Sequence, residues 1–269
     1  MIRAYPDLMT MLRQRRELIG ELINREISER YAGAMLGRAW AFGHPLIAMA
    51  VYLFVFNFIF RSAGAGQFPS IYDYATFLLA GLLPWMVTAE VLNKSSSILF
   101  SHASLVKQIV FPIEVLPLKA TLVTLITQLI GLGGTLVYML TSAGQLQPIL
   151  ALLPIVVALH FLFNLGLAYG IAALTLFLRD LKDLITVFCN LGLYITPTLF
   201  FAGQYPHLFG LIIELNPFSH MVFVYQDLLY YGDVVHPLSW VLFTTMSLVM
   251  FPLGYLTFQK LRPAFGDLL

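Results

Sequence analysis

The chain alternates between long apolar runs and short polar or charged breaks, and the runs have membrane dimensions. A helix needs about 20 apolar residues to cross a bilayer. No charge falls between Arg38 and Arg61, which predicts a first span at 39–60. "YATFLLAGLLPWMVTAEVLN" predicts a second at 74–93. From Thr121 to Leu178 no residue is charged, too long for one helix, and "TSAGQLQP" at 141–148 divides it into spans at 120–140 and 149–178. The fourth is long enough to tilt or to extend past the bilayer. A fifth span, 184–201, follows Asp183, and a sixth occupies 238–259 ahead of a short tail at 260–269. The pattern describes one domain over 1–269, an all-α integral membrane protein with six transmembrane helices.

Composition supports this class. Of 269 residues, 59% are hydrophobic and 11% charged, against roughly 25% charged in soluble domains. So few charges cannot cover a surface that faces water on all sides. The net charge of +1 gives no bulk attraction for nucleic acid. Sorting Lys and Arg by segment places fourteen of the fifteen on one side, at 1–38, 94–119, 179–182 and 260–262, with Arg61 alone opposite. The positive-inside bias then predicts both termini in the cytoplasm. The first thirty residues are charged and contain no apolar core of a secretory signal. The lone Cys189 lies in an apolar run and reads as packing.

Three segments do not fit a plain bundle. In 1–38, Leu8, Leu12, Ile19, Ile23 and Ile27 recur at helical spacing. Arg13/Glu17, Glu21/Arg25 and Glu26/Arg30 pair at i, i+4. This predicts an amphipathic helix lying on the cytoplasmic membrane surface, followed by "GAMLG" and the interfacial Trp40. Residues 202–236 are too long for an idle connection. They hold two apolar pieces, "HLFGLIIEL" and "SHMVFVYQDLLYYG", each too short to span, with Asn216 and Pro217 starting the second. They read as helices dipping in from the outer face to plug the external mouth. Between spans two and three, "SHASLVKQIVFPIEVLP" gives about three turns of cytoplasmic helix, ended by the proline after Phe111. A helix tethered to two spans is a lever, and a lever needs a motor.

The chain itself offers none. No G-x-x-x-x-G-K-[ST] occurs, so ATP phosphates are not cradled by that route. The six His residues show no metal-ligand spacing, and intramembrane Asp, Glu or Arg runs of an ion-coupled carrier are missing. Glu90, near the inner end of span two, reads as interfacial. His160 and Asn164 share a helix face and are expected to bond between helices, and Gly166 and Gly170 in "GLAYG" to permit close helix packing. Tyr52, Phe54, Phe56, Phe58 and Phe60 in span one, with Tyr194, Phe200 and Phe201 in span five, form either an interfacial belt or a path on which sugar rings stack.

Several stretches together resemble a known family: "RELIGELINREISERYAGAMLGRAW", "LLAGLLPWMV", "SLVKQIVFPIEVLPL", "LRDLKDL", "LNPFSHMV" and "LGYLTFQKLRPAFGDLL". In this order they resemble the permease subunit of polysaccharide-export ABC transporters, the Wzm-like branch of the type-2 ABC exporters. Two departures occur: Ile113 stands where the family has a basic residue after "FP", and Ala32 and Ala34 stand in its "RYRGS" motif. The resemblance implies a homodimer with two copies of an ATP-binding subunit, which holds ATP and Mg, so that this chain binds no cofactor or metal and is no enzyme. It implies a coupling helix at Leu105, Val106, Lys107, Gln108 and Ile109, with Arg13, Arg16 and Glu17 beside the ATPase. It implies a channel lined by Tyr52, Phe56, Phe60, Tyr194, Phe200 and Phe201. Arg30 and Arg38 would meet an undecaprenyl-diphosphate headgroup at the entrance, and Glu214, Asn216 and Phe218 would gate the outer mouth within 203–232. The expected cargo is a lipid-linked polysaccharide such as O-antigen, exported across the bacterial inner membrane. A type-2 exporter of teichoic acid, capsule or a hydrophobic small molecule is the alternative, with an ion-coupled carrier or a membrane glycosyltransferase further away.

Overall fold

The computed structural model describes residues 16–30, 32–35, 37–55, 74–106, 111–199 and 207–268, and these contain helices and turns and no strand. In chain order they are α1 (Arg16–Arg30), a 3-10 turn (Gly37–Ala39), α2 (Trp40–Val55), α3 (Tyr74–Ser101), the short α4 (Ala103–Val106) and α5 (Val115–Ala143). A second 3-10 turn (Pro148–Leu152) then leads into α6 (Leu153–Phe177), α7 (Leu181–Gly192), α8 (His207–Leu215) and α9 (Pro217–Gln226). α9 runs into a π-helical turn (Asp227–Tyr231), and α10 (Pro237–Leu261) and α11 (Phe265–Leu268) complete the order. Among the described residues four helices are long and apolar enough to cross a membrane: Tyr74–Ser101, Val115–Ala143, Pro148–Phe177 and Pro237–Ala264.

α3 is the axis of the bundle. Its most apolar stretch is 83% buried, against 22% for that of α10, and α5, α6, α7 and α9 all pack on it. α10 instead packs along α6, where "GLAYG" removes side chains from the contact. A Cβ on Gly166 would lie 2.3 Å from the Met250 carbonyl oxygen, and one on Gly254 would lie 1.9 Å from that of Gly166. The two backbones touch directly, as small residues allow in membrane helices. α5 stops where the sequence break was expected: Gly144 takes φ +71° and its N–H bonds the Leu140 carbonyl at 3.0 Å, the left-handed cap that glycine favours.

Span boundaries differ from the sequence pattern in three places. The second helix does not end at 93 but runs to Ser101. The Ser96, Ser97 and Ser101 hydroxyls donate to carbonyls three or four residues back, while Ile98 and Leu99 stay buried. The third helix begins at Val115 instead of 120, so the polar connector 94–119 shrinks to about 102–114. Span five, expected as one helix over 184–201, is helical only to Gly192 and then turns through 193–199. Pro197 cannot donate to a helix and disfavours helix in the residue before it. Tertiary partners take over the carbonyls: Asn216 Nδ2 donates to Ile195 at 2.9 Å, Gln226 Nε2 to Pro197 at 2.6 Å, and the Tyr74 hydroxyl to Leu199 at 2.7 Å. Non-helical backbone inside a membrane protein requires such satisfaction.

The mid-bundle carries a polar hub. His160 of α6 is fully buried, with its Nε2 2.9 Å from Thr88 Oγ1 of α3 and its Nδ1 2.9 Å from Gln128 Nε2 of α5. The Tyr225 hydroxyl of α9 lies 3.1 Å from the same Nδ1 and accepts from Gln128 at 2.5 Å. Four helices meet there, which bears out the helix-to-helix bond expected of His160.

Candidate functional site

At one end of the bundle the charged residues gather, and this end holds the candidate lever. α1 packs on α5 through an apolar face: Ile19 is buried, and Leu22 and Ile23 pack against the buried cluster that includes Ile98, Leu99, Val115 and Leu116. The helix is thus held by the bundle as well as being amphipathic. Arg25 pairs with Glu29 at 2.6 Å on the exposed side. Glu26 pairs inward with Lys119 at 2.9 Å and Lys94 at 3.2 Å; its expected i, i+4 partner Arg30 has its side chain outside the described residues. Lys94 also meets Glu90 at 3.1 Å.

A cavity of about 510 Å³ opens between these groups. Its walls include Glu26 and Glu29 of α1, Lys94 and Ser101 of α3, Ser104 of α4 and Lys119 of α5. His102 closes one side. Lys119 can only donate, so His102 Nε2 accepts at 3.2 Å and Nδ1–H donates to the Ile98 carbonyl at 3.0 Å. Burial and the neighbouring Lys119 lower the His102 pKa from its ordinary value, against a smaller opposing effect of the Ile98 bond. Burial raises the Glu26 carboxyl, but Lys94 and Lys119 outweigh it and leave its pKa below the usual range.

The sign for Glu26 follows. A depressed carboxylate stabilises the docked α1 above its unfolded pKa, and that stability is lost as pH falls through the folded value. Docking is therefore expected to persist at neutral pH and to fail below about pH 4. Glu26→Gln removes the charge that Lys94 and Lys119 hold and should loosen α1 already at neutral pH, with amide exchange over 16–30 faster by about severalfold, the scale of a partly exposed ion pair.

Beside this cavity α5 begins at the "FPIEVLP" stretch. The Glu114 carboxylate is buried, pairs with Arg262 and accepts from Gln259 Nε2 at 3.3 Å. Its backbone carbonyl takes the Tyr169 hydroxyl at 3.0 Å. The connector is thereby clamped to α6 and to the end of α10.

Of the residues read from sequence as coupling groups, Arg16 and Glu17 are exposed at the start of α1. Leu105 and Val106 form the end of α4; their side chains, and all of Lys107, Gln108, Ile109 and Arg13, lie outside the described residues. Arg30 ends α1 and Arg38 sits in the Gly37–Ala39 turn, their side chains also outside. Of the aromatic path, Tyr52 is half-buried on α2 and Tyr194 is 56% exposed beyond α7; Phe56, Phe60, Phe200 and Phe201 lie outside.

The outer segment is more deeply built in than a plug. Asn216 caps α9, accepting from the Phe218 N–H at 3.1 Å. Phe218 packs against Trp85, Phe163 and Phe188, midway along α3. Met221, Val222, Val224 and Tyr225 are fully buried, so α9 is core. Glu214 is exposed on α8. After α9, the buried Asp227 carboxylate accepts from the His236 N–H at 3.0 Å and Trp240 Nε1 at 2.9 Å, with His236 Nδ1 at 2.7 Å, and so ties the turn to α10. Sequence reading missed Glu26, Glu114, Gln128 and Asp227 as organising residues. The one available signal was a lone polar residue in an apolar run, as at Gln128.

Comparison with known proteins agrees with this architecture. The ABC-2 type transporter signature matches residues 17–230. The chain is 27% identical over 256 residues to an O-antigen export system permease protein RfbA of Klebsiella pneumoniae, covering 94% of this chain and 95% of the relative. It is 26% identical over 262 residues to the RfbA of Myxococcus xanthus, covering 97% and 98%. The polysialic acid transport protein KpsM of Escherichia coli is 22% identical over 246 residues, covering 90% and 93%. With a helical membrane bundle and a family match across most of its length, the chain belongs to the ABC-2 type transporter family.

Proposed function

We propose that this chain is the channel-forming permease of an exporter that moves a lipid-linked polysaccharide, such as O-antigen on undecaprenyl diphosphate, outward across the inner membrane. Two copies pair with two ATP-binding subunits, which hydrolyse ATP. The basic end faces the cytoplasm, as the distribution of Lys and Arg favours. The observation that carries the reading is the shared cavity: α1 and the α4 connector form its walls together with α3 and α5, and Glu26 joins α1 to α3 and α5 through Lys94 and Lys119. A push on the connector therefore reaches three helices at once. Lipid-linked cargo enters beside α1, where Arg30 and Arg38 meet the diphosphate, and α8, which exposes Glu214, gates the outer mouth while α9 anchors it in the core.

The test is to co-express the chain with the adjacent ATPase and measure assembly and ATP hydrolysis of Leu105→Asp/Ile109→Asp. The double change places two charges in an apolar docking surface, and hydrolysis coupled to the permease should fall to background. A wild-type chain that purifies stably without binding the ATPase overturns the reading. The KpsM likeness favours a capsular glycan as the second reading. The glycan that accumulates inside a deletion strain distinguishes the two.

A further inference from the structure

His102 is the residue on which the connector turns. α3 ends at Ser101 and α4 begins at Ala103, so this one residue joins the axis of the bundle to the candidate lever. Two bonds hold its ring. Nδ1–H donates to the Ile98 carbonyl at 3.0 Å, one helical turn back, and Nε2 accepts from the Lys119 ammonium of α5 at 3.2 Å. The first bond is local to α3. The second ties the root of the connector to a different helix.

That tie admits one protonation state. An ammonium has protons to give and no lone pair, so Nε2 can meet it only with a lone pair of its own. Lys119 needs the acceptor: its side chain is 5% exposed, and a buried charge must be paired and hydrogen-bonded. Glu26 supplies one acceptor at 2.9 Å and His102 the other. A proton on Nε2 removes that lone pair and sets two cations side by side. The anions in reach are already engaged. Glu26 of α1 lies between Lys119 and Lys94 of α3, Glu29 of α1 pairs with Arg25, and Glu90 of α3 pairs with Lys94. The other polar groups on the cavity wall, Ser97, Ser101 and Ser104, carry no charge. A protonated His102 therefore leaves Lys119, and the cavity gives its ring room to swing.

We propose that His102 is a proton-operated latch: neutral, it ties the root of the connector to α5, and protonated, it lets go. That a released connector transmits less of a push rests on the coupling reading above; the latch itself does not. The sign agrees. Burial and Lys119 lower the His102 pKa, so the tied state binds fewer protons than the released one. The tie is complete above the free-imidazole value of about 6.5 and weakens as pH falls from there through the folded value. The Glu26 contacts fail only in the carboxylate range, near pH 4, so the two events are separable.

The experiment uses the permease reconstituted in lipid with its ATP-binding partner. Amide-exchange protection over 98–106, corrected for the intrinsic pH dependence of exchange, is compared at about pH 7.5 and about pH 5.5, either side of the free-imidazole value. ATP hydrolysis is measured in parallel. The wild type should lose protection severalfold at the lower pH, while 16–30 keeps its own. His102→Gln offers an oxygen to Lys119 and cannot take up a proton, so its protection should not change with pH. His102→Lys is charged at both pH values and should be poorly protected at both. Equal pH dependence in the wild type and His102→Gln overturns the proposal, as does full protection of His102→Lys at the higher pH. A direct reading backs the variants: the ring 15N resonances of His102 should titrate below the free value in the wild type and move up toward it in Lys119→Met. A titration that Lys119→Met leaves in place overturns the tie. If protection follows the expected pattern while the ratio of wild-type to His102→Gln hydrolysis is the same at both pH values, the latch stands and the coupling reading alone falls.

Discussion

Gly254→Val is expected to abolish the folded permease, not merely to weaken it. A Cβ at 254 would sit 1.9 Å from the Gly166 carbonyl oxygen and 2.7 Å from its carbon. Both are backbone atoms in the middle of α6 and cannot swing aside as a side-chain end does. Relief requires α6 and α10 to separate along the surface where α10 makes its main contact. Ordinary overpacking of a core costs roughly 1–3 kcal/mol, and this substitution exceeds it because two backbones must part. Gly166→Val meets the Met250 carbonyl at 2.3 Å and should fail in the same way. Gly133→Ala is the control, since a Cβ there meets nothing within 4 Å. The check is the yield of monodisperse protein from membranes by size exclusion: near zero for the two valine variants, unchanged for Gly133→Ala. A monodisperse Gly254→Val protein at wild-type yield would show that α6 and α10 are not in backbone contact.

Glu114→Ala is expected to cost about 3 kcal/mol, the lower end of the range for breaking a buried ion pair. The lower end applies because Arg262 keeps 24% of its side chain exposed and can recover some water. The loss is one-sided: the Glu114 carboxylate that pairs with Arg262 and accepts from Gln259 is removed while both donors stay. Replacing both charges, Glu114→Leu with Arg262→Leu, should restore most of the stability, since buried pairs exchanged for packed apolar residues are often neutral or better. A thermal-unfolding cycle over the two single and one double variants measures this. Additive losses would show that the pair contributes no coupling. The double variant also separates stability from work: it should fold, yet transmit motion from the connector to α10 poorly.

The helices that close their own hydrogen bonds were legible in the chain, and those completed by distant partners were not. The break between α5 and α6 was readable because Gly144 caps locally. The packing role of Gly166 was readable because small residues at that spacing have one principal use in a membrane helix. The interruption after Gly192 was hidden, because Pro197 in an apolar run marks a break but not what replaces the helix. That depended on Asn216, Gln226 and Tyr74, between 21 and 125 residues from the carbonyls they complete. Glu26 was legible only in part for the same reason: i, i+4 spacing offered it Arg30, whose side chain lies outside the described residues, while Lys94 and Lys119 are adjacent only after α1 docks. The candidate lever was visible as a polar interruption, but its extent was overestimated because serines that bond back to their own helix look, in sequence, like a loop.

The turn over 193–199 also sets an order of events during biosynthesis. Its carbonyls at Ile195 and Pro197 are completed by Asn216 and Gln226, which leave the ribosome about 20 to 30 residues later, a second or more at ordinary elongation rates. Until then those carbonyls must stay with water or the insertion machinery, because hydrocarbon would leave them bare. α7 therefore cannot settle beside α3 as a finished span ahead of α8 and α9; the three enter as one unit. A nascent chain stopped before Asn216 should hold 184–199 in an aqueous setting, and one released past Gln226 should bury it.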